Sequence, residues 1–375
     1  MNHIPSFSSL KSALRQVCGL VLAAGLAHSG AAQTAILSWT TTTLSNSADQ
    51  TISGTTYLNK FITVDTFTTG AGTYFAQSST VQADHAYVRR NTTTQSNGLG
   101  WMSVRQGSNT VVQGTYYSTA EQLLLSGNLL NTTFDTFTNN TGTLSGQATN
   151  VERIDFVWSA GYTVQSGDVL SVFNIDPAGA QDNFRIAIFT SMGTVNGVIN
   201  SPTAYASTGL LVQDGVYGPL LPLNYPTGTS SSATSTTSTW NAVSFTNGDS
   251  LSSTGSFVFT QTPQGIGGAA INLTDLGVAN GQTIYGYSIM GPDVTPTVAS
   301  DLVNWQNSSV YLTNTSQVDG TADFSTFGGR FIRPIPEPST YGAIFLGAGL
   351  VAYGLRRRSG RHAVSPTPAP AGTGR

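Results

Sequence analysis

A chain of 375 residues with 39% apolar and 10% aromatic residues can bury a sizeable core, which excludes a wholly disordered chain. Charged residues supply only 9% of it, and between Gln33 and Glu337 there are 8 basic residues against 18 acidic ones. An acidic stretch with Lys60 as its one lysine excludes nucleic acid as a partner, because holding phosphates needs clustered Lys and Arg.

The first 32 residues read as a secretory signal peptide. Lys11 and Arg15 form a basic opening, residues 17–27 an apolar run, and Ser29, Gly30, Ala31 and Ala32 a small-residue cleavage site. Cleavage is expected after Ala32, with the general secretion machinery as the first partner. The apolar run is shorter than the ~20 residues a spanning helix needs. Cys18, the chain's single cysteine, lies inside this segment. The processed protein is therefore expected to have no disulfide, no thiolate metal site and no cysteine nucleophile.

From Ala35 onward, short β-prone runs alternate with Gly, Asn, Asp, Ser and Thr clusters. Such runs occupy residues 57–67 (YLNKFITVDTF), 86–90, 100–105, 110–117 (TVVQGTYY), 153–158 (RIDFVW), 169–175 and 184–190. They continue at 257–260, 269–273, 283–290 (TIYGYSIM) and 310–313. Alternation in several of them predicts half-buried strands with one wet face. Many short strands without intervening helical patterns predict an all-β fold, a β-sandwich or jelly-roll-like body over residues 33–332. One helix is predicted over residues 119–130 (TAEQLLLSGNLL), weakened by Gly127 and Asn128. Residues 218–226 carry three prolines and read as loop or edge. Residues 227–239 (TGTSSSATSTTST) are polar and of low complexity: a loop in one large domain, or a split between two. The runs on both sides look alike, which favours one domain.

Candidate chemistry is sparse. His85 is the only histidine of the body, so a Ser-His-Asp triad would have to use it, with Asp84 beside it or another aspartate across the fold. No Gly-x-Ser-x-Gly elbow supports a triad, and a lone His in a strand-like run is usually structural. Histidine zinc sites are excluded by the count. Glycoside hydrolysis needs two carboxylates, and the body's glutamates before the terminal motif are Glu121 and Glu152. Glu152, Arg153 and Asp155 read as a strand with solvated charges, and the pair Arg89-Arg90 as a surface feature. No cofactor is expected. Calcium is the one metal whose oxygen ligands are abundant, in loops around Asp176, Asp182 and Asn183, Asp293 and Asp301, and Asp319 and Asp323. None has EF-hand spacing, and turn aspartates capping backbone groups explain them. Trp101, Tyr116, Tyr117, Trp158, Tyr162, Trp240 and Trp305 are candidates for a carbohydrate-binding face, but sandwich cores use the same residues. The sequons at Asn91 and Asn307 are expected by chance in so Asn- and Thr-rich a chain.

The C-terminal stretch is more specific. Pro336-Glu337-Pro338 is stiff, because each proline fixes its own φ and restricts the residue before it. Tyr341 opens and Leu355 closes a run, residues 341–355, with no charge, amide or proline, and Arg356, Arg357 and Arg358 end it. An uncharged run followed by a basic cluster has the form of a membrane insertion signal with a positive-inside stop. As a helix it would span only ~23 Å, short of a ~30 Å hydrocarbon core, which suits a temporary anchor.

In order, spacing and position, residues 333–358 resemble the PEP-CTERM sorting signal of exported proteins of Gram-negative bacteria. The resemblance implies export, transient inner-membrane anchoring by the single transmembrane helix 341–355, and processing at Pro336-Glu337-Pro338 by an exosortase, a membrane cysteine protease. The body would then reach the cell surface or the extracellular polysaccharide (biofilm) matrix. Family signals usually end soon after the arginines. Here Ser359 begins a Pro/Ala/Gly-rich tail, residues 359–375, read as a disordered cytoplasmic extension. The expectation is a structural surface or matrix protein rather than an enzyme. The alternatives are a secreted polysaccharide-active enzyme using Glu121 or Glu152, or a carbohydrate-binding module.

Overall fold

The structure is a computed structural model. It describes residues 33–45, 48–52, 55–75, 80–91, 100–108, 111–112, 115, 117, 119–129, 131–134, 136–137, 151–177, 183–213, 215–219, 238–245, 251–261, 264–312 and 330–332. The chain divides into two units, residues 1–334 and 335–375. All described residues belong to the first. The expected signal peptide with its cleavage residue Ala32, the motif Pro336-Glu337-Pro338, the run 341–355, the cluster Arg356 to Arg358 and the tail lie outside them.

The described part is almost entirely β. Its strands in chain order are β1 (Gln33–Ser45), β2 (Gln50–Ile52), β3 (Thr55–Tyr57), β4 (Lys60–Thr69), β5 (Gly72–Phe75), β6 (Thr80–Gln82) and β7 (His85–Arg90). Then come β8 (Gly100–Ser108), β9 (Val111–Val112), β10 (Asn131–Phe134), β11 (Val151–Thr163), β12 (Val169–Pro177), β13 (Phe184–Val195) and β14 (Val198–Tyr205). The last are β15 (Leu210–Val212), β16 (Ser238–Phe245), β17 (Leu251–Gln261), β18 (Gln264–Asn272), β19 (Thr283–Met290) and β20 (Arg330–Ile332). The one α-helix described, α1 (Ala120–Leu124), has five residues, and two single 3-10 turns sit at Leu273–Leu276 and Ala299–Leu302.

Three sheets result. The first runs β5-β4-β1-β18-β12-β20-β6, and the second β14-β13-β19-β11-β7 with β15 on β13. The third runs β17-β16-β8-β9-β3-β2 with β10 on β8. Strands from either side of residues 227–239 pair within the first two sheets: β1 with β18, and β19 with both β11 and β13. The inward faces of the first two sheets share one core. Leu170, Val172, Ala269 and Ile271 of the first meet Ile154, Phe156, Ile186, Ile188, Tyr287 and Ile289 of the second. The first sheet's other face is also covered, around Ile36, Ile62, Phe67 and Phe173.

Several expectations need correction. The run 57–67 breaks at Leu58-Asn59, because Asn59 is left-handed (φ 48°) and gives its amide to the Ala48 carbonyl at 2.5 Å. Among the described residues of the run 110–117, Val111–Val112 forms a strand and Thr115 and Tyr117 do not. The helix expected over 119–130 stops at Leu124. Thr119 caps its start, accepting from the Gln122 N–H at 3.1 Å, but Gly127 turns left-handed (φ 68°). Beyond it Asn128 Oδ1 accepts the Ile62 N–H at 3.0 Å and Leu129 N–H donates to Ile62 O at 2.8 Å, so edge pairing with β4 replaces another helical turn. Val310 to Leu312 is not a strand. The Asn307 carbonyl accepts the N–H groups of both Val310 and Tyr311, and Asn304 and Asn307 side chains cap nearby amides, which makes turns. Ser238 and Thr239, at the end of the low-complexity stretch, begin β16, and the rest of that stretch lies outside the described residues.

Candidate functional site

The outer face of the second sheet holds the chemistry. The segment 291–312 covers part of it, burying Val294, Leu302, Trp305, Val310 and Tyr311 against Val157, Ala187, Phe189 and Met290. β11 is consequently covered on both sides, and all of Val151 to Trp158 is buried. A wet face was expected there. It is absent because this segment closes over it.

Beneath the cover lies a network of charges that alternation places on one face of β7 and β11. Arg153 and Asp155 are 0% exposed, and Arg153 Nε lies 2.7 Å from Asp155 Oδ1 as an ion pair lacking the alignment of a hydrogen bond. A second Arg153 nitrogen donates to Asp155 Oδ2 at 3.2 Å, and Arg89 Nε donates to the same oxygen at 2.8 Å. Ser288 completes the carboxylate's shell, donating at 2.6 Å. Arg153 also donates to the Leu302 carbonyl at 2.5 Å, and Trp305 lies over both guanidinium groups at 5.2 and 5.1 Å. Burial alone would lower the Arg153 guanidinium, but Asp155, Tyr205 and Tyr311 outweigh it and the net shift is upward. Burial pushes Tyr311 up to about 12. The readings of Arg89 as a surface residue and of Glu152 to Asp155 as solvated charges are therefore wrong. Their signal, charges repeating at i and i+2 inside an otherwise apolar strand, is visible in the sequence, but the partners come from residues 288–311. This network is directed inward and ties the covering segment to the sheet, a structural role.

Glu152, at the register shift between Val151 and Arg153, stands apart. It is 4% exposed and its Oε1 has no hydrogen-bond partner among the described residues. Burial, then the charge of Asp293, pushes its carboxyl up to about 8.

Beside the cover, the same sheet face is open and forms a cleft of about 430 Å³. Val157 and Met192 supply apolar lining, and Ser159, Thr190 and Ser191 hydroxyls. His85, Tyr87 and Tyr285 contribute rings and Asn200 an amide. His85 Nδ1 lies 2.8 Å from Glu121 Oε1, on α1, and its ring stacks on Tyr87 at 5.7 Å. Asn200, left-handed at φ 55°, donates to the Tyr87 hydroxyl at 3.2 Å. Asp84 does not serve His85; its carboxylate accepts the Ser159 N–H at 2.8 Å. The His85–Glu121 pair links residues 36 positions apart, and only the fold brings them together.

The remaining candidates disperse. Trp158, Tyr162 and Trp305 are buried in cores, and Tyr117 packs against one. The side chains of Trp101, Tyr116 and Trp240 lie outside the described residues. Asp301 caps a turn, its carboxylate accepting from Thr297 and Val298, which holds it below the usual range. Asp319 and Asp323, and the loop between Asp176 and Asn183, fall outside the described residues or at their margin. Among the described residues no three His, Cys, Asp or Glu side chains gather as a metal site, and no helix is long and apolar enough to cross a membrane.

The second unit is characterised by comparison with known families. Residues 334–358 are a PEP-CTERM protein-sorting motif. The PEP-CTERM motif covers the proline tripeptide, the apolar run and the arginine cluster, and it marks an exported chain addressed to an exosortase. No curated protein and no solved structure matches the chain.

Proposed function

We propose that the chain is an exported structural protein of the cell surface or extracellular polysaccharide matrix of a Gram-negative bacterium, and not an enzyme. It is exported after removal of residues 1–32, held briefly in the inner membrane by residues 341–355, and processed by an exosortase at Pro336-Glu337-Pro338. In this reading the body at residues 33–332 is a β-sandwich that needs no cofactor. The observation that carries the proposal is the PEP-CTERM motif at residues 334–358. The buried charges support it, because they are spent on holding residues 291–312 to the sheet rather than being presented to a substrate.

The test is cell fractionation of a Pro336→Ala, Pro338→Ala variant. A larger, membrane-bound form should accumulate in place of the processed protein. Unchanged mature size and location would overturn the proposal.

A further inference from the structure

We propose that the cleft beside Tyr285 is a binding site for a neutral saccharide. This goes beyond the sorting reading and does not depend on it.

The cleft's volume of about 430 Å³ lies within the range of small-molecule sites, about 300–1,000 Å³. Its chemistry selects among ligand classes. Among the described residues no Lys or Arg lines it. The Arg89 guanidinium lies over the Tyr87 ring and is committed to Asp155 and the Asn200 carbonyl. His85, the one potential cation among the described lining residues, is held by Glu121. An anionic ligand would therefore enter a site whose positive charge is already neutralised, with the Asp84 and Glu121 carboxylates close by. That disfavours phosphates, uronates and acidic peptides.

A lipid or other wholly apolar ligand is disfavoured too, because hydroxyls and an amide intersperse the apolar lining. Among the described residues no protein group bonds the hydroxyls of Ser159, Thr190 or Tyr285. Those three groups can each donate and accept, which matches a ligand bearing many hydroxyls of its own. A sugar ring also has an apolar C–H face. Tyr285 supplies the complementary surface: its ring is half-buried and, unlike that of Tyr87, is not covered by Arg89 or His85. The hydrogen bond from Asn200 and the His85 stack fix Tyr87 in place, so this side of the cleft is formed before any ligand arrives.

The test uses the full chain with maltotriose, cellotriose and mannotriose as probes, and trigalacturonate and trialanine as controls. Saturation-transfer NMR and calorimetry read binding, and the thermal midpoint reads stabilisation. At least one neutral trisaccharide should bind and raise the midpoint. Tyr285→Ala should weaken it tenfold or more, and Tyr285→Phe, which keeps the ring, by less. Should Tyr285→Ala not fold, the paired rim changes Ser159→Ala and Thr190→Val carry the test, with a several-fold loss expected. Four outcomes overturn the proposal: no neutral trisaccharide binding at millimolar concentration, equal or tighter binding of either control, variants that bind like the parent, or release of shorter sugars, which would make the site hydrolytic.

Discussion

Arg153 and Asp155 stand two positions apart on one strand and clasp each other at 2.7 Å, with neither side chain exposed to solvent. Neighbours at i and i+2 share a face of a strand, so the backbone alone brings the charges together. Arg89 joins from β7 and Ser288 from β19, and the guanidinium reaches on to the Leu302 carbonyl. One carboxylate thus holds two arginines and, through them, anchors the segment that covers them.

Replacing Asp155 by alanine leaves Arg153 and Arg89 buried with no counter-charge. Breaking a buried pair from one side costs about 3–5 kcal/mol. The urea midpoint should fall accordingly. The half-exposed His85–Glu121 pair gives the contrast, since ion pairs open to water are worth about 0.2–1 kcal/mol. If Glu121→Ala destabilises as much as Asp155→Ala, the ranking by burial is wrong.

Glu152 makes stability depend on pH in the direction opposite to most carboxylates. Its carboxyl rises from 4.5 to about 8 in the folded chain, through burial first and the neighbouring Asp293 second. The folded state therefore holds a proton that the unfolded state releases. Its contribution is intact below about pH 4.5 and is lost as pH climbs toward 8, at an upper bound on the order of 5 kcal/mol. Tyr311, which also feels this carboxylate, titrates near 12 and stays neutral across the window. Glu152→Gln should flatten the profile between those values. A parent protein equally stable at pH 5 and pH 8 would show that the carboxyl ionises without penalty.

The β character of the chain was legible because its apolar runs are short and bounded by turn residues; residues 283–290 were read as a strand and are one. The terminal motif was legible for a different reason: its order and spacing are local. What could not be read was which strand faces would be covered. Arg89 and Glu152 look like surface charges until residues 291–312 fold over them, and that cover depends on turns set by Asn304 and Asn307. The cleft was hidden for the same reason, since its lining comes from residues 85, 87, 157, 159, 190–192, 200 and 285, distant in sequence.

Gly286 tests whether β19 sits where the network needs it. Its φ is +152°, and an added Cβ would come within 2.0 Å of the Phe156 carbonyl and 2.3 Å of the Phe189 ring. Neither neighbour is a flexible side-chain end: one is β11 backbone, the other a fully buried ring. Gly286→Ala should cost on the order of 3 kcal/mol or more. Gly197 is the control. It also has a positive φ, +77°, but nothing lies within 4 Å, so alanine there should cost about 1–2 kcal/mol. Thermal unfolding of the two variants side by side separates steric overlap from backbone strain alone.

Trp305 decides whether the covering segment opens independently of the sheet. Its ring is 3% exposed and lies over Arg89 and Arg153, while its neighbours Leu302 and Val303 lend their carbonyls to Arg153. Removing it forfeits about 3–5 kcal/mol of packing and the cation–π contacts with it. The segment's only helical element is one 3-10 turn, so little local structure resists opening once that packing is gone. Trp305→Ala should therefore speed amide exchange in residues 294–311 far more than in the central residues of β19. Trp305→Phe, which keeps a ring over the guanidinium groups, should lie between. Water reaching Arg153 would also relieve its burial, so the stability loss in the double variant Trp305→Ala, Asp155→Ala should be smaller than the sum of the two singles. Uniform acceleration across the segment and β19 would mean instead that the cover and the sheet unfold as one unit.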